Sequence, residues 1–269
     1  MTHSSDVYTH GHHESVLRAH RWRTVENSAA YLSPYLAPGM NVLDVGCGPG
    51  SISADLARLV RPGRVLAVDN VAAIVEEAGA QIADDGTDNI EFAVADAYEL
   101  DMPADSFDVV HAHQVLQHLS EPVVALGEMR RVCRPQGIVA VRDADYGAMT
   151  WYPADPALDR WLEVYHQVAR SNQAEPDAGR RLHAWARGAG FTDVTASASV
   201  WCFASGSDRQ WWGGLWADRV LASSFATQAI ESGFATRGDL EEISAAWRRW
   251  ADDQDGWFSV LHGEVLCRA

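Results

Sequence analysis

The chain has 269 residues, 47% of them apolar, and carries a formal net charge of −16 at neutral pH. Nucleic-acid binding relies on many basic side chains, and an anionic membrane surface repels an acidic protein, so this charge argues against both partners. All 21 basic residues are arginines, which excludes chemistry that needs a lysine, such as Schiff-base formation or phosphate binding by a P-loop.

The N-terminal segment, residues 1–39, is predicted to be a polar tail followed by a helix. The tail contains the run His10-Gly-His-His13, which we interpret as a mobile segment rather than a metal site. Between residues 14 and 36 apolar side chains recur near helical spacing, and Pro38-Gly39 ends the pattern. We find neither an uninterrupted apolar run of about 18 residues nor an apolar leader, and therefore expect no membrane span and a cytoplasmic location.

A glycine-rich turn follows the first predicted strand. From Val42 to Gly50 the chain reads Val-Leu-Asp-Val-Gly-Cys-Gly-Pro-Gly, and a helical pattern begins at Ser51. Glycine tolerates positive φ and has no Cβ, so the backbone of such a turn can lie against a ligand. Strand, turn and helix start together are typical of nucleotide-type cofactor sites in doubly wound α/β folds. The dinucleotide fingerprint G-x-G-x-x-G is not matched, because Ser51 stands where its third glycine would be.

Three further strands are predicted at residues 64–69, 89–95 and 107–113, and each runs into polar residues. The first ends in Asp69, 19 residues after the last glycine of the turn, where an acid can accept hydrogen bonds from ribose hydroxyls. The second ends in Asp96-Ala97, and the third runs into Gln114. Ligands bind at the carboxyl edge of such sheets, so we expect these side chains near one site.

The glycine turn resembles motif I of the class I S-adenosylmethionine-dependent methyltransferases, an apolar strand followed by D/E-x-G-x-G-x-G. The whole motif is present as Asp44, Gly46, Gly48 and Gly50. The resemblance covers residues 40–141 strand by strand. Within it, three segments are most similar to the branch related to ubiquinone- and menaquinone-biosynthesis methyltransferases: Val115–Leu119, Glu128–Val132 and Pro135–Gly137.

The resemblance implies S-adenosylmethionine as the cofactor and S-adenosylhomocysteine as its product. It also implies that the acid after the second strand holds the ribose and the acid after the third meets the adenine amino group. The residues implied to contact the donor are Asp44, Gly46, Cys47, Gly48, Gly50, Asp69, Asn70, Asp96, Ala97, His113 and Gln114. In the resembled family the N-terminal helix lies over the donor, which would bring Tyr8, His12 and Arg21 close to it.

The predicted fold is a Rossmann-like, seven-stranded, doubly wound sheet with a helical cap inserted between strands six and seven. Residues 40–204 would form the core with the donor site, residues 205–255 the cap, and residues 256–269 the last strand. Helices are predicted near residues 155–171 and 177–187. Ten of the eleven tryptophans lie after residue 150, where they would fill the interface between cap and core or line an apolar acceptor pocket.

Methyl transfer from a sulfonium is an in-line displacement that requires mainly alignment and exclusion of water. A general base helps only where the acceptor must lose a proton, and His118 is our candidate for that role. The residues predicted to bind the acceptor are His118, Asp143, Tyr146 and Trp212. No complete set of metal ligands is evident, so we expect no metal.

The predicted function is methyl transfer to a small, partly apolar metabolite, at oxygen, nitrogen or carbon. One alternative is a nicotinamide-dependent oxidoreductase, which the spacing of the glycines and the absence of lysine disfavour. The other is a non-catalytic, donor-binding regulatory protein, which the sequence leaves open. It also leaves open whether the chain forms a homodimer.

Overall fold

The computed structural model of the protein describes residue 9, residues 19–84 and residues 86–269. We number its elements within those residues. The strands are β1 Val42–Val45, β2 Val65–Asp69, β3 Ile90–Val94, β4 Phe107–His113, β5 Cys133–Ala144, β6 Thr150–Tyr152, β7 Val194–Phe203 and β8 Trp257–Arg268. The helices are α1 Val25–Ser28, α2 Ser51–Val60, α3 Ala72–Asp84, α4 Pro122–Val132, α5 Pro156–Ser171, α6 Leu182–Gly188, α7 Gly206–Ala222, α8 Ser224–Glu231 and α9 Arg237–Asp252. No described helix has the length and apolar character needed to cross a membrane.

The strands form one mixed sheet in the order β3-β2-β1-β4-β5-β8, with β7 paired along β8. Strands β1 to β5 are parallel, whereas β8 runs antiparallel to both β5 and β7. The order reverses between β1 and β4, which is where ligands bind in doubly wound sheets. The Rossmann-like fold class predicted from the sequence is confirmed.

A short extra strand, β6, lies in a segment that the sequence analysis left without a predicted element. Its three residues pair with the first residues of β8, Trp257 to Ser259. Strand β8 has free hydrogen-bonding groups there, because its pairing with β5 extends only from Arg268 to His262. A three-residue strand is too short to show an alternating pattern, and for that reason the sequence does not reveal it.

The N-terminal segment is not one continuous helix where the structure describes it. Helix α1 is a single turn, and a 3-10 turn follows at Ser33–Tyr35. Thr24 caps the start of α1, since its hydroxyl accepts the N–H of Asn27. Pro34 stands at the start of the 3-10 turn, and its ring restricts the residue before it. These local signals override the apolar spacing that predicted a helix over residues 14–36.

Helices cover both faces of the parallel part of the sheet. On one face, α2 and the N-terminal segment pack on β1, with Leu32, Val42 and Leu56 completely buried. On the other face, α4 and α6 pack on β4 and β5, around buried Leu126 and Val141. The helices leave the carboxyl edge of the sheet uncovered, and the polar loops that follow the strands lie there.

Helices α7, α8 and α9 occupy the segment between β7 and β8. They pack with α5 and the first half of β8 in a third apolar cluster, in which Trp161, Trp216 and Trp247 are almost completely buried. The indoles of Trp161 and Trp216 meet edge to face, with ring centroids 4.6 Å apart. Such aromatic pairs add to the free energy of burial, so these helices form a rigid layer against the sheet.

Candidate functional site

The glycine loop after β1, residues 46–50, has the backbone that its sequence predicts. Gly46, Gly48 and Gly50 have φ values of +71°, +54° and +79°. A Cβ on Gly46 would overlap the side chain of Val115, and one on Gly50 would lie 2.8 Å from the ring of Phe92. Both conformation and space therefore require glycine at these two positions. The loop leads directly into α2, whose first N–H groups point towards the carboxyl edge.

Asp44 lies beneath this loop rather than on its surface. Its side chain is buried, and both carboxylate oxygens have partners within the protein. One oxygen accepts the hydroxyl of Ser53 on α2 at 2.5 Å, and the other accepts Nδ1–H of His111 on β4 at 2.7 Å. The carboxylate thus ties β1 to its neighbouring strand and to the helix, which fixes the loop between them.

The acids after β2 and β3 lie further out along the same edge. Asp69 is half-buried and accepts the backbone N–H groups of Gly48 at 3.0 Å and of Val71 at 3.2 Å. Asp96 is exposed and accepts the N–H of Tyr98 at 2.9 Å. Each carboxylate oxygen can accept more than one hydrogen bond, so both acids can also receive a ligand's hydroxyl or amino group.

A cavity lies beside the glycine loop, between the N-terminal segment, the turn after β4 and helix α7. It is narrow, with a volume of about 30 Å³, and it is partly open to solvent. Five tryptophans and a tyrosine line it together with an equal number of histidine, glutamine and arginine side chains. The lining residues are Ala19, His20, Trp22, Arg23, Gln114, Gln117, His118, Ala144, Tyr146, Met149, Trp201, Trp211, Trp212, Trp216, Arg219 and Val260.

Gln114 lies where the cavity meets the end of β4. Its φ is +55°, a left-handed conformation that non-glycine residues adopt rarely. Its carbonyl oxygen accepts from Arg23 at 2.6 Å, and its amide donates to Nε2 of His262 at 2.8 Å. Gln114 therefore connects the N-terminal segment to strand β8 across the cavity wall.

His20 links the cavity to the glycine loop. Its imidazole lies 3.7 Å from the position that a Cβ on Gly48 would occupy, and its carbonyl oxygen accepts the hydroxyl of Ser51 at 3.1 Å. The next residue, Arg21, forms an ion pair with Glu77 of α3 at 2.8 Å. Tyr8, His12 and the run from residue 10 to 13 lie outside the described residues.

His118, the candidate general base, lines the cavity but is a weak base in this structure. Burial, together with the positive charge of Arg23, lowers its pKa to about 3. The side-chain amide of Gln117 donates to its Nε2 at 3.0 Å. General-base catalysis is most efficient when the pKa is near the working pH, so His118 as placed is poorly suited to removing a proton.

His113 lies deeper than the cavity wall. Burial lowers its pKa well below the usual value, with further contributions from Arg23 and Arg142. Neither ring nitrogen has a hydrogen-bond partner among the described residues. Its nearest aromatic neighbours are Trp201, at 5.8 Å, and His262, at 6.1 Å. A contact between His113 and the donor stays a prediction.

The three remaining residues predicted to bind the acceptor are not all brought together. Tyr146 and Trp212 line the cavity, and the ring of Tyr146 stacks on Tyr165 at 3.9 Å. Asp143 does not line it: the carboxyl group is completely buried under the turn after β4, where it accepts the N–H of Gln117 at 3.2 Å. Burial raises the pKa of Asp143 to about 8. The structure therefore supports a role for Asp143 in holding the turn.

The structure adds cavity residues that sequence reasoning missed. The most informative are Trp22, Arg23, Trp201 and Arg219, which come from three distant parts of the chain. The only signal for them in the sequence was the excess of tryptophan, which indicated an aromatic pocket but not which rings line it.

Cys47, in the glycine loop, has a pKa raised by burial and by nearby Asp44, so the thiol stays protonated and is no nucleophile. Within the described residues no group of three metal-ligating side chains occurs.

Comparison with known proteins identifies the family. The sequence profile of the methyltransferase domain family matches residues 36–199 of this chain. An uncharacterized methyltransferase of Schizosaccharomyces pombe is 32% identical over 268 residues, which cover 96% of this chain and 95% of that protein. A ubiquinone/menaquinone biosynthesis C-methyltransferase of Hahella chejuensis is 35% identical over 129 residues, 47% of this chain and 49% of that protein. Among solved structures, the YcgJ protein of Bacillus subtilis has the same fold, with a TM-score of 0.58 at 19% identity over 88% of this chain and 96% of that one. The resemblance predicted from the glycine turn is confirmed, and the chain belongs to the S-adenosylmethionine-dependent methyltransferases of class I.

Proposed function

We propose that this enzyme transfers the methyl group of S-adenosylmethionine to a small, partly apolar metabolite bound in the aromatic cavity. One observation carries the proposal: the cavity and the glycine loop share a wall. His20 lies beside Gly48 and also lines the cavity. A donor held on the loop would therefore face an acceptor in the cavity over a short distance, as an in-line displacement requires.

The residues along the carboxyl edge fit the donor. At Gly48 a Cβ would make only an ordinary contact, 3.7 Å from the imidazole of His20, whereas the positions on either side are confined by Val115 and Phe92. Asp69 would hold the ribose hydroxyls, and Asp96 would accept from the adenine amino group, with Asn70 and Ala97 beside them. Asp44 would act through the loop, since its oxygens are already bonded to Ser53 and His111.

The donor supplies an already activated methyl group on a positively charged sulfur. The protein's part is to align the acceptor with that methyl and to exclude water. On one side of the cavity the ring of Trp22 packs against those of Trp201 on β7, at 5.2 Å, and Trp211 on α7, at 5.1 Å. Gln114, held by Arg23 and His262, would keep this wall in place and would contact both ligands.

These positions assign different segments of the chain to the donor and to the acceptor. Residues 40–204 and 256–269 would form the donor-binding core, residues 1–39 would cover the donor site, and residues 205–255 would form a cap over the acceptor. We propose a free cytoplasmic metabolite rather than nucleic acid as the acceptor, because the net charge of −16 opposes a polyanion.

Two measurements test the proposal against its rivals. Calorimetry should detect binding of S-adenosylhomocysteine and none of NAD; heat from NAD alone would overturn the assignment. Incubation with methyl-labelled S-adenosylmethionine and a pool of small metabolites should then transfer label to an organic-soluble product. Donor binding without transfer to any pool would favour the non-catalytic alternative.

A further inference from the structure

Gln114 lies between the glycine loop and the aromatic cavity, and its backbone is fixed there. Its N–H donates to the carbonyl oxygen of Arg142 on the neighbouring strand β5 at 2.7 Å. The next residue, Val115, lies against Gly46 of the loop, and the side chain of Gln114 itself lines the cavity. A carboxamide has one end that donates hydrogen bonds and one that accepts them, so its orientation decides what this position offers to a ligand.

One end of the Gln114 amide faces a group that only donates. A nitrogen of the Arg23 guanidinium lies 2.6 Å from the side-chain oxygen of Gln114, and an arginine side chain has no hydrogen-bond acceptor. The opposite orientation of the amide would place two donors against each other. The oxygen therefore points to Arg23, and the NH2 group faces Nε2 of His262 at 2.8 Å.

His262, on β8, imposes the same orientation from the other end. Its ring is completely buried, and Nδ1 lies 3.1 Å from the carbonyl oxygen of Val260. A carbonyl oxygen only accepts, so Nδ1 carries a proton. Nε2 then keeps its lone pair, which accepts from the amide of Gln114. The constraint from Val260 and the constraint from Arg23 thus agree on one tautomer and one amide orientation.

The groups around His262 keep its imidazole neutral. Burial lowers its pKa well below the usual value, and the positive charges of Arg142 and Arg23 act in the same direction. His113 on β4 faces it with ring centroids 6.1 Å apart, and its pKa is lowered as well. The carboxylate of Glu264, two residues further along β8, is already paired with Arg142. The ring of His262 therefore has a single proton, and Nδ1 holds it.

The order of the strands indicates which part of the donor would meet Gln114. Under the function proposed above, Asp96 after β3 holds the adenine and Asp69 after β2 holds the ribose. The sheet order is β3-β2-β1-β4, so the sulfur and the amino-acid end of the donor would lie beyond the ribose, at β1 and β4. Gln114 follows β4 directly. The amino-acid end has an ammonium group that donates and a carboxylate that accepts.

We propose, on the basis of that function, that His262 is a positioning residue for the donor and acts by fixing the side-chain amide of Gln114. One N–H of the amide is given to His262 and one lone pair of its oxygen is taken by Arg23. One N–H and one lone pair remain for a ligand, and they match the carboxylate and the ammonium group of the donor. His262 itself takes no proton from a substrate, because its lone pair is already engaged.

The first test reads the tautomer in the full-length protein. Histidine is labelled with a nitrogen isotope, the ring is observed by long-range proton–nitrogen correlation NMR, and His262 is assigned from its missing signals in His262→Gln. We expect a neutral ring with its proton on Nδ1 at neutral pH. In Gln114→Glu the carboxylate only accepts, so Nε2 should gain a proton and the pKa of His262 should rise by about one unit or more. A proton on Nε2 in the unaltered protein, or an unchanged ring in Gln114→Glu, would overturn the inference.

The second test measures ligand affinity by calorimetry. His262→Leu removes the acceptor that holds Gln114, whereas the side-chain oxygen of His262→Gln can replace Nε2. We expect His262→Leu to weaken S-adenosylhomocysteine binding about fivefold or more, and His262→Gln to stay within about twofold of the unaltered protein. Methylthioadenosine, which lacks the amino-acid end, should bind all three proteins equally. His183→Leu is the matched control, because His183 is exposed on α6.

The outcomes separate this inference from the function on which it rests. Equal weakening by His262→Leu and His262→Gln, no weakening by either, or an equal loss for methylthioadenosine would overturn the role of His262. If S-adenosylhomocysteine does not bind the unaltered protein, the proposed function itself is wrong, whatever the tautomer. If His262→Leu does not fold, the NMR measurement on the unaltered protein and on Gln114→Glu still decides.

Discussion

Replacing Gly46 with alanine should damage both the fold and the donor site, and the structure allows the two causes to be separated. The φ of +71° places any other residue in the left-handed region, at a cost of about 1–2 kcal/mol. The new Cβ would also overlap the side chain of Val115, and forced overpacking of this kind costs about 1–3 kcal/mol. We expect Gly46→Ala to lower the free energy of unfolding by roughly 2–5 kcal/mol in total.

A matched control isolates the backbone contribution. Gly233 has nearly the same φ, +70°, but a Cβ there would have no neighbour within 4 Å. Gly233→Ala should therefore cost only about 1–2 kcal/mol and should leave donor affinity unchanged. The stabilities of the variants are compared by urea unfolding, and their affinities for S-adenosylhomocysteine are compared by calorimetry. Gly46→Ala should weaken the binding of S-adenosylhomocysteine by more than about tenfold, because the loop must move.

The overlap between a Cβ at position 46 and Val115 can also be relieved by shortening the side chain at position 115. In the double variant Gly46→Ala, Val115→Ala, the shorter side chain at position 115 should restore about 1–2 kcal/mol relative to the sum of the two single changes. Equal destabilisation by Gly46→Ala and Gly233→Ala, or strict additivity in the double variant, would show that Val115 does not confine the loop and would refute the reasoning.

Three further outcomes follow from the site. Asp69→Ala should weaken S-adenosylhomocysteine binding by about 1.5–3 kcal/mol, whereas exposed Asp88→Ala should not; equal affinity of the two variants in calorimetry would mean that the ribose is held elsewhere. Trp211, which is half-buried, lines the cavity, so Trp211→Ala should raise KM for the acceptor several-fold and leave donor affinity intact. Trp257 does not line the cavity, and Trp257→Ala should change neither quantity. If Trp211→Ala instead lowers donor affinity, α7 covers the cofactor. Asp143 keeps its proton up to about pH 8 in the folded protein but only to its ordinary value of 3.8 when unfolded, so the native state binds more protons in that window and stability falls as pH rises through it. Asp143→Asn should flatten this dependence in urea unfolding between about pH 5 and about pH 8, and an unchanged slope would contradict the assignment.

The glycine loop and the acids at the strand ends could be predicted from the sequence because their determinants are local. A glycine required by positive φ, an acid at a strand end and a helix start are each encoded within a few residues, and the parallel sheet brings their ends together automatically. Gly46 and Gly50 illustrate this: the spacing of the glycines alone predicted the turn that the structure shows. The α/β fold class followed from the same alternation of strands and helices.

The hydrogen-bond partners of the side chains could not be predicted from the sequence in the same way. Asp44 belongs to the predicted motif, yet only the fold shows that Ser53 and His111 occupy both of its oxygens. Asp143 likewise lies near the carboxyl end of β5, but the turn after β4 folds over it and buries it. Whether a polar side chain at a strand end faces a ligand or the protein depends on what packs above it, and the sequence pattern does not state that.

The cavity was decided by tertiary structure alone. Its charged residues, Arg23 and Arg219, are almost two hundred positions apart in the chain, and Trp201 stacks with the first of them from a strand between the two. The sequence by itself determined that the chain has a doubly wound sheet with a glycine loop after its first strand, since those features arise from neighbouring residues. The set of side chains that lines the cavity arises from contacts between distant segments, which become adjacent only when the apolar faces of the N-terminal segment and α7 are buried against the same sheet.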